Sequence, residues 1–337
     1  MEYAVETYDI VKNYRELKKY RDYLTAPFRK KIITALKGIS VKVRKGELFG
    51  LLGPNGAGKT TFLKILSTVV LPTSGKALVA GFDVEKEGMK VRRSIGYAMG
   101  DERSSYWRLT GRQNLEFFAV LNNLEKREAK KKIEEVLELT GLSKDADRHF
   151  KDYSTGMKQK LAIARGLLTD PAVLFLDEPT RSLDPTAAKQ LREFIKEEIV
   201  RKRGTTVILA THNLSEAETL CDRIAIIDKG KLKACGTIDE IRRIITKGNR
   251  YRVELFGDEE DLVSRLKSIK GIDNPSLKNG SENKVFFCDF YLSDDKLQIK
   301  EIVKEMLDRD LNVISFHPVS QSLEEIFSSI TEEDKNE

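Results

Sequence analysis

The sequence predicts an α/β fold: a mostly parallel sheet with crossover helices, followed by a smaller C-terminal α/β unit. Three observations predict it. Leu48 to Leu52, Val173 to Leu176 and Thr206 to Ala210 are short apolar runs of the kind that form strands buried on both faces. The first two runs lead directly into residues that suit loops facing an anion or a cation. After Lys247-Gly248-Asn249 a strand-helix-strand-helix-strand pattern begins afresh, so two domains are expected within 337 residues.

Strand patterns run up to Leu52, including Ile10 to Tyr14, and recur around Lys76 to Val79. Directly after Leu52 comes Gly53-Pro54-Asn55-Gly56-Ala57-Gly58-Lys59-Thr60-Thr61, a match to G-x-x-x-x-G-K-[ST], the phosphate-cradling P-loop. Glycines at this spacing let successive backbone N–H groups turn inward toward phosphate oxygens, and the helix predicted from Thr60 to Leu66 would present its positive end there. Lys59 would neutralise the β- and γ-phosphates and the Thr60 hydroxyl would bind Mg²⁺, which makes a nucleotide the expected ligand. The apolar run ending Asp177-Glu178 reads as a strand delivering carboxylates at its C-terminal edge. Asp177 suits the Mg²⁺ shell. Glu178, pointing to the other side by strand alternation, suits a general base.

Between these elements a helical insert is expected from about Thr110 to Phe150. Thr110 and Gln113 form a capping box, and Ile133, Val136, Leu137 and Leu142 line one apolar face. Trp107, the only Trp, lies in the loop before it and reads either as a packed core residue or as a groove anchor. Tyr153-Ser154-Thr155-Gly156-Met157 precedes a helical stretch, and Ser154 with Gly156 would offer a hydroxyl and free N–H groups at a helix start.

This segment resembles the LSGGQ signature of ATP-binding cassette (ABC) ATPases, with Ser154 and Gly156 matching and Tyr153, Thr155 and Met157 departing as in the exporter branch. The resemblance implies an ABC cassette with an antiparallel β-subdomain and a helical subdomain. It also implies that Ser154, Thr155 and Gly156 meet a γ-phosphate held by a second subunit. Ser182-Leu183-Asp184 is similar to the family's D-loop, which places Asp184 along the dimer interface. Thr211-His212-Asn213 is similar to the switch-histidine motif, so His212 would hold Glu178 and the attacking water in line. Asp101 occupies the slot where the family carries a Mg²⁺-ligating glutamine, counted back from Gln113-Asn114-Leu115. Tyr14 is the leading candidate for the aromatic that stacks on adenine, with Tyr20, Tyr23 and Phe28 in the apparent insertion from Arg15 to Lys31 as competitors.

Taken together, the resemblance implies an ATP- and Mg²⁺-dependent ATPase driving export through a separate ABC-2 type permease, as a homodimer or heterodimer of ATPase subunits. An importer ATPase and a soluble ABC mechanoprotein acting on DNA or ribosomes are the alternatives. The second lacks support, since the chain has one cassette and shows no zinc insert or long coiled coil. No nucleic-acid module interleaves aromatic and basic residues, so no nucleic acid is expected.

The net charge of +6 is concentrated at the N-terminus, where residues 1 to 45 hold 12 Lys or Arg against 5 Asp or Glu. A solvated face is the expected reading, and anionic lipid headgroups or nucleic acid are the alternative partners for such a basic block. The acidic start MEYAVETYDI has no signal-peptide pattern, and no apolar run nears the ~18 residues of a membrane span, so a cytoplasmic protein is expected, held at the membrane's inner face by the permease. Cys221, Cys235 and Cys288 lack metal spacing and are expected as free, buried thiols. The domains expected are a cassette over residues 1–247, a ferredoxin-like accessory domain over 248–330 and a charged tail over 331–337. Within the accessory domain, Gln321 to Phe327 is similar to the PSLEEVF ending of drug-resistance exporters.

Overall fold

The computed structural model describes residues 2–15, 32–99, 105–245, 249–267, 269, 276–279, 284–292, 295–318 and 327. The chain divides into two units, Met1–Ile238 and Asp239–Glu337.

In the first unit, β1 (Tyr3–Arg15), β2 (Ile32–Ile39), β3 (Lys42–Arg44), β5 (Ser74–Val79) and β6 (Phe82–Asp83) form an antiparallel sheet in the order β2-β1-β5-β6, with β3 also on β1. The other sheet has the order β11-β10-β4-β9-β8-β7, built from β4 (Leu48–Leu52), β7 (Ile95–Met99), β8 (Val173–Asp177), β9 (Thr206–Thr211), β10 (Arg223–Asp228) and β11 (Lys231–Gly236). All its pairings are parallel except the β10–β11 hairpin. The reason is visible in the residues. β4 and β9 are buried at every position, as strands covered on both faces must be.

α1 (Lys59–Leu66) packs into a core that takes in residues of both sheets. Its Phe62, Leu63 and Leu66 sit there with Val5, Leu36, Phe49, Leu51 and Phe175. Each fully buried side chain of this size contributes about 1.5–3 kcal/mol. The glycine loop is thus anchored at both ends, by β4 and by α1.

α2 (Gly88–Ser94) precedes β7. α3 (Gly111–Leu121) opens on the expected capping box: Thr110 Oγ1 accepts from the Gln113 N–H at 3.1 Å and Gln113 Oε1 accepts from the Thr110 N–H at 3.0 Å. On α4 (Lys126–Leu139) the predicted face is inside, with Ile133, Val136 and Leu137 buried. α5 (Thr155–Leu167) leads to β8, and α6 (Pro185–Phe194) widens into a π-type coil over Ile195–Lys202 before β9. α7 (Leu214–Leu220) follows β9. Trp107 is 60% exposed, against the packed-core alternative.

In the second unit, after α8 (Ile238–Ile245), come β12 (Asn249–Phe256), α9 (Glu259–Lys267), β13 (Ser276–Asn279), β14 (Val285–Leu292), α10 (Asp295–Asp308) and β15 (Asn312–Pro318). The sheet order β13-β14-β12-β15, antiparallel throughout, is the ferredoxin-like arrangement expected. Its core gathers Val253, Leu255, Leu262, Leu266, Cys288, Phe290 and Met306. Of the exporter-like ending, only Phe327 falls among the described residues.

Candidate active site

β4, β9 and β8 run side by side in the same direction, with Leu52 opposite Thr211 and Ala210 opposite Asp177. This register brings three stretches that are distant in sequence to one edge of the sheet: the glycine loop after β4, Asp177-Glu178 at the end of β8 and His212 after β9. Ligand sites of open parallel sheets form at such carboxyl ends.

At two of its glycines the loop has no room for a side chain. A Cβ on Gly53 would lie 2.2 Å from the Ile227 carbonyl oxygen. Gly58 caps α1 with φ of 113°, and a Cβ there would come within 2.8 Å of the Ala35 carbonyl. Lys59 is buried and folds back along the loop, donating to the Gly53 carbonyl at 2.6 Å and the Pro54 carbonyl at 3.1 Å. Burial lowers the pKa of its ammonium, and the charges of Glu178 and Asp177 partly restore it.

Thr60, the next residue, donates from Oγ1 to Asp177 Oδ2 at 3.2 Å. Burial pushes the Asp177 carboxyl up, against the Thr60 hydrogen bond and the Lys59 charge. A hydroxyl and a carboxylate side by side at a helix start are hard oxygen donors suited to Mg²⁺, and the glycine-rich loop beside them suits a polyphosphate. Both groups therefore fit the residues present.

Glu178 faces the same edge, for a reason other than strand alternation. Its backbone leaves β8 in the left-handed region, at φ of 50°, with its N–H donated to the Ala210 carbonyl at 2.9 Å. A non-glycine residue in that region carries a strain of about 1–3 kcal/mol, a cost that clusters at functional sites. His212 Nδ1 lies 2.8 Å from Glu178 Oε1, and Arg181 Nη1 lies 3.4 Å from Oε2. Behind this pair, the Thr180 hydroxyl donates to the buried Glu216 at 2.7 Å. Asn213 caps α7 by accepting from the Glu216 N–H at 3.0 Å. Glu216 escaped the sequence reading because only folding brings it to Thr180, 36 residues away.

Ser154, Thr155 and Gly156 stand at the start of α5, where Ser154 Oγ accepts from the Met157 N–H at 3.3 Å. Asp184 caps α6, accepting from the N–H groups of Thr186 and Ala187, each at 3.0 Å. Tyr14 lies on β1, 36% exposed, with Lys12 Nζ 5.1 Å from its ring centroid. Asp101, Tyr20, Tyr23 and Phe28 lie outside the described residues. Tyr153, the departure from the signature's leucine, is buried and donates to the Asp145 carbonyl at 2.8 Å. Gly111 makes room for it, since a Cβ there would lie 2.0 Å from the Tyr153 oxygen.

Comparison with known proteins agrees with this geometry. Residues 36–181 match the ABC transporter family and residues 236–331 match the C-terminal domain of DrrA1-3-like ATP-binding proteins. An uncharacterized ABC transporter ATP-binding protein of Bacillus subtilis, YdbJ, is 36% identical over 296 residues, 88% of this chain and 90% of that protein. The chain belongs to the ABC transporter ATP-binding proteins. The daunorubicin resistance ATP-binding protein DrrA3 of Streptomyces coeruleorubidus is 40% identical over 68% of this ABC protein and 69% of its own length. Among solved structures, a dimeric bacterial ABC transporter cassette is similar with a TM-score of 0.59 and 25% identity, covering 69% of this chain and 98% of that one. This ABC protein is an ATP-binding, ATP-hydrolysing transport subunit of the export type, working with a membrane permease. Among the described residues, no helix is long and apolar enough to cross a membrane.

Proposed function

We propose that this ABC protein hydrolyses Mg²⁺·ATP as one half of a pair of ATPase subunits, each pair enclosing two nucleotides between the glycine loop of one subunit and the Ser154-Thr155-Gly156 segment of the other. The observation that carries this reading is the Glu178–His212 contact of 2.8 Å, made at the edge where Thr60 meets Asp177. Lys59 and the loop N–H groups bind the triphosphate. Thr60 and Asp177 hold Mg²⁺, with Asp101 as a further ligand. When bound, Mg²⁺ neutralises charge that develops on the phosphate oxygens. Glu178 takes the proton of the attacking water, and His212 keeps the carboxylate aimed. Tyr14 stacks on adenine, and Asp184 lines the seam between subunits.

Gly156 supports the second half of this reading. Its missing Cβ would meet only Ala187 Cβ, at an ordinary 3.9 Å, so packing within the chain does not require glycine there. A bare α-carbon at a helix start admits something that approaches from outside. We further propose a cassette over residues 1–247, an accessory domain over 248–330 and a charged tail over 331–337, with the protein held at the inner face of the membrane by an ABC-2 type permease. The names of relatives such as DrrA3 support export, and toxic small molecules are the substrate class those names suggest.

Glu178→Gln tests the proposal. The variant is expected to bind ATP like the parent, to lose at least a hundredfold in turnover, as expected of a general base at ~10²–10⁴-fold, and to sediment as a pair with ATP and Mg²⁺. Undiminished turnover would remove Glu178 as the base, and single chains at saturating nucleotide would remove the shared site.

A further inference from the structure

We propose that Tyr97 is a positioning residue for Asp177, its hydroxyl holding the carboxylate in the orientation that receives Mg²⁺ beside the triphosphate. This rests on the reading of Asp177 as a metal-serving residue and extends it to a neighbour that no motif marks.

Tyr97 lies on β7 directly opposite Phe175 of β8, in parallel register. Side chains alternate along a strand, so Asp177 stands on the same face as Phe175, two residues nearer the carboxyl edge. The Tyr97 and Phe175 rings pack at 6.1 Å between centroids, tilted by 53°, which fixes where the phenol ends. The hydroxyl is buried and has no hydrogen-bond partner among the described residues, and it stands on the sheet face that carries Asp177.

An unpaired buried hydroxyl costs about 1–3 kcal/mol. Phenylalanine would fill the same ring space without that cost, so the oxygen has no use in the state described. Among the described residues, Asp177 is the carboxylate that shares its face of the sheet. Oδ2 takes the Thr60 hydroxyl at 3.2 Å, and a carboxylate has about four acceptor positions, so capacity remains for a second donor. Thr60 and Tyr97 would then fix Asp177 from two sides, the kind of outer support that orients metal-serving carboxylates.

The test uses the full chain with Tyr97→Phe, Asp177→Asn and the double variant. Mn²⁺ binding is followed by electron paramagnetic resonance at saturating AMP-PNP, and nucleotide affinity is measured separately in EDTA. Tyr97→Phe is expected to weaken Mn²⁺ about tenfold, the lower end of what loss of an outer-shell partner costs. Its affinity for the nucleotide in EDTA should match the parent, which also reports that the glycine loop is folded. In the Asp177→Asn background, Tyr97→Phe should change nothing further. Parental Mn²⁺ affinity in Tyr97→Phe together with weakened binding in Asp177→Asn overturns the Tyr97 inference alone. Parental affinity in Asp177→Asn overturns the metal reading of Asp177, and the inference with it. Additive losses in the double variant also overturn it, since they would separate the hydroxyl from the carboxylate.

Discussion

Asp177 shows how one side chain trades stability for chemistry. Its carboxyl titrates above the ordinary range because burial penalises the charge. An acid whose folded pKa is raised destabilises the fold in its charged form. That cost is fully expressed above the raised value and disappears below the unfolded value of about 3.9. Asp177→Asn is therefore expected to melt at a higher temperature than the parent at pH 7 in the absence of nucleotide. The advantage should shrink as the pH falls through the window between the two values. Thermal unfolding across pH 7 to 4 measures it, and a lower melting temperature at pH 7 would mean that the carboxylate stabilises the empty site. Glu178 teaches a different lesson at this scale. The role proposed for it was argued from its place beside Asp177, but its backbone turn was not foreseen. Alternation along a strand sends it to the opposite face, whereas a backbone φ of 50° returns it to the same edge, and nothing in the local sequence announces that turn.

Among the elements, those decided by local chemistry were legible. Thr110 and Gln113 mark the start of α3 because the capping pair involves residues three apart. The five apolar residues of β4 mark a buried strand. The β10–β11 hairpin turns through Lys229-Gly230, at φ of 45° and 79°, a two-residue turn signal that the sequence reading passed over. The widening of α6 over Ile195–Lys202 was not legible, since no cap or turn residue marks it. The same holds for Tyr153, whose departure from the family signature has its counterpart at Gly111. Gly111→Ala would drive a methyl group into the Tyr153 oxygen, at 2.0 Å, and is expected to cost about 1–3 kcal/mol of stability, as overpacking does. Chemical denaturation of Gly111→Ala, Tyr153→Leu and the pair reads this directly. The alanine should cost less beside leucine than beside tyrosine, and equal costs in both backgrounds would deny the contact.

At the scale of the whole molecule, the proposed closing of two subunits over nucleotide is an equilibrium that ATP would have to move. A shift from 1:99 to 99:1 requires about 5.5 kcal/mol of differential affinity. Two bridging triphosphates are the proposed source. Gly156→Ala separates this from folding. The new methyl group has room within the chain and should leave the melting temperature equal or higher, by the ~0.5–1 kcal/mol that alanine gains over glycine in a helix. The same methyl group should obstruct the partner's nucleotide, so ATP-dependent pairing in the Glu178→Gln background is expected to weaken at least tenfold by sedimentation. Undiminished pairing would place Gly156 away from the seam. Such coupling also needs a stiff frame inside each subunit, and the Thr180–Glu216 clasp supplies one. It yokes the turn that carries Glu178 to the helix that follows His212, so the proposed base and its guide would travel as one lever, and a push delivered to either would arrive at both.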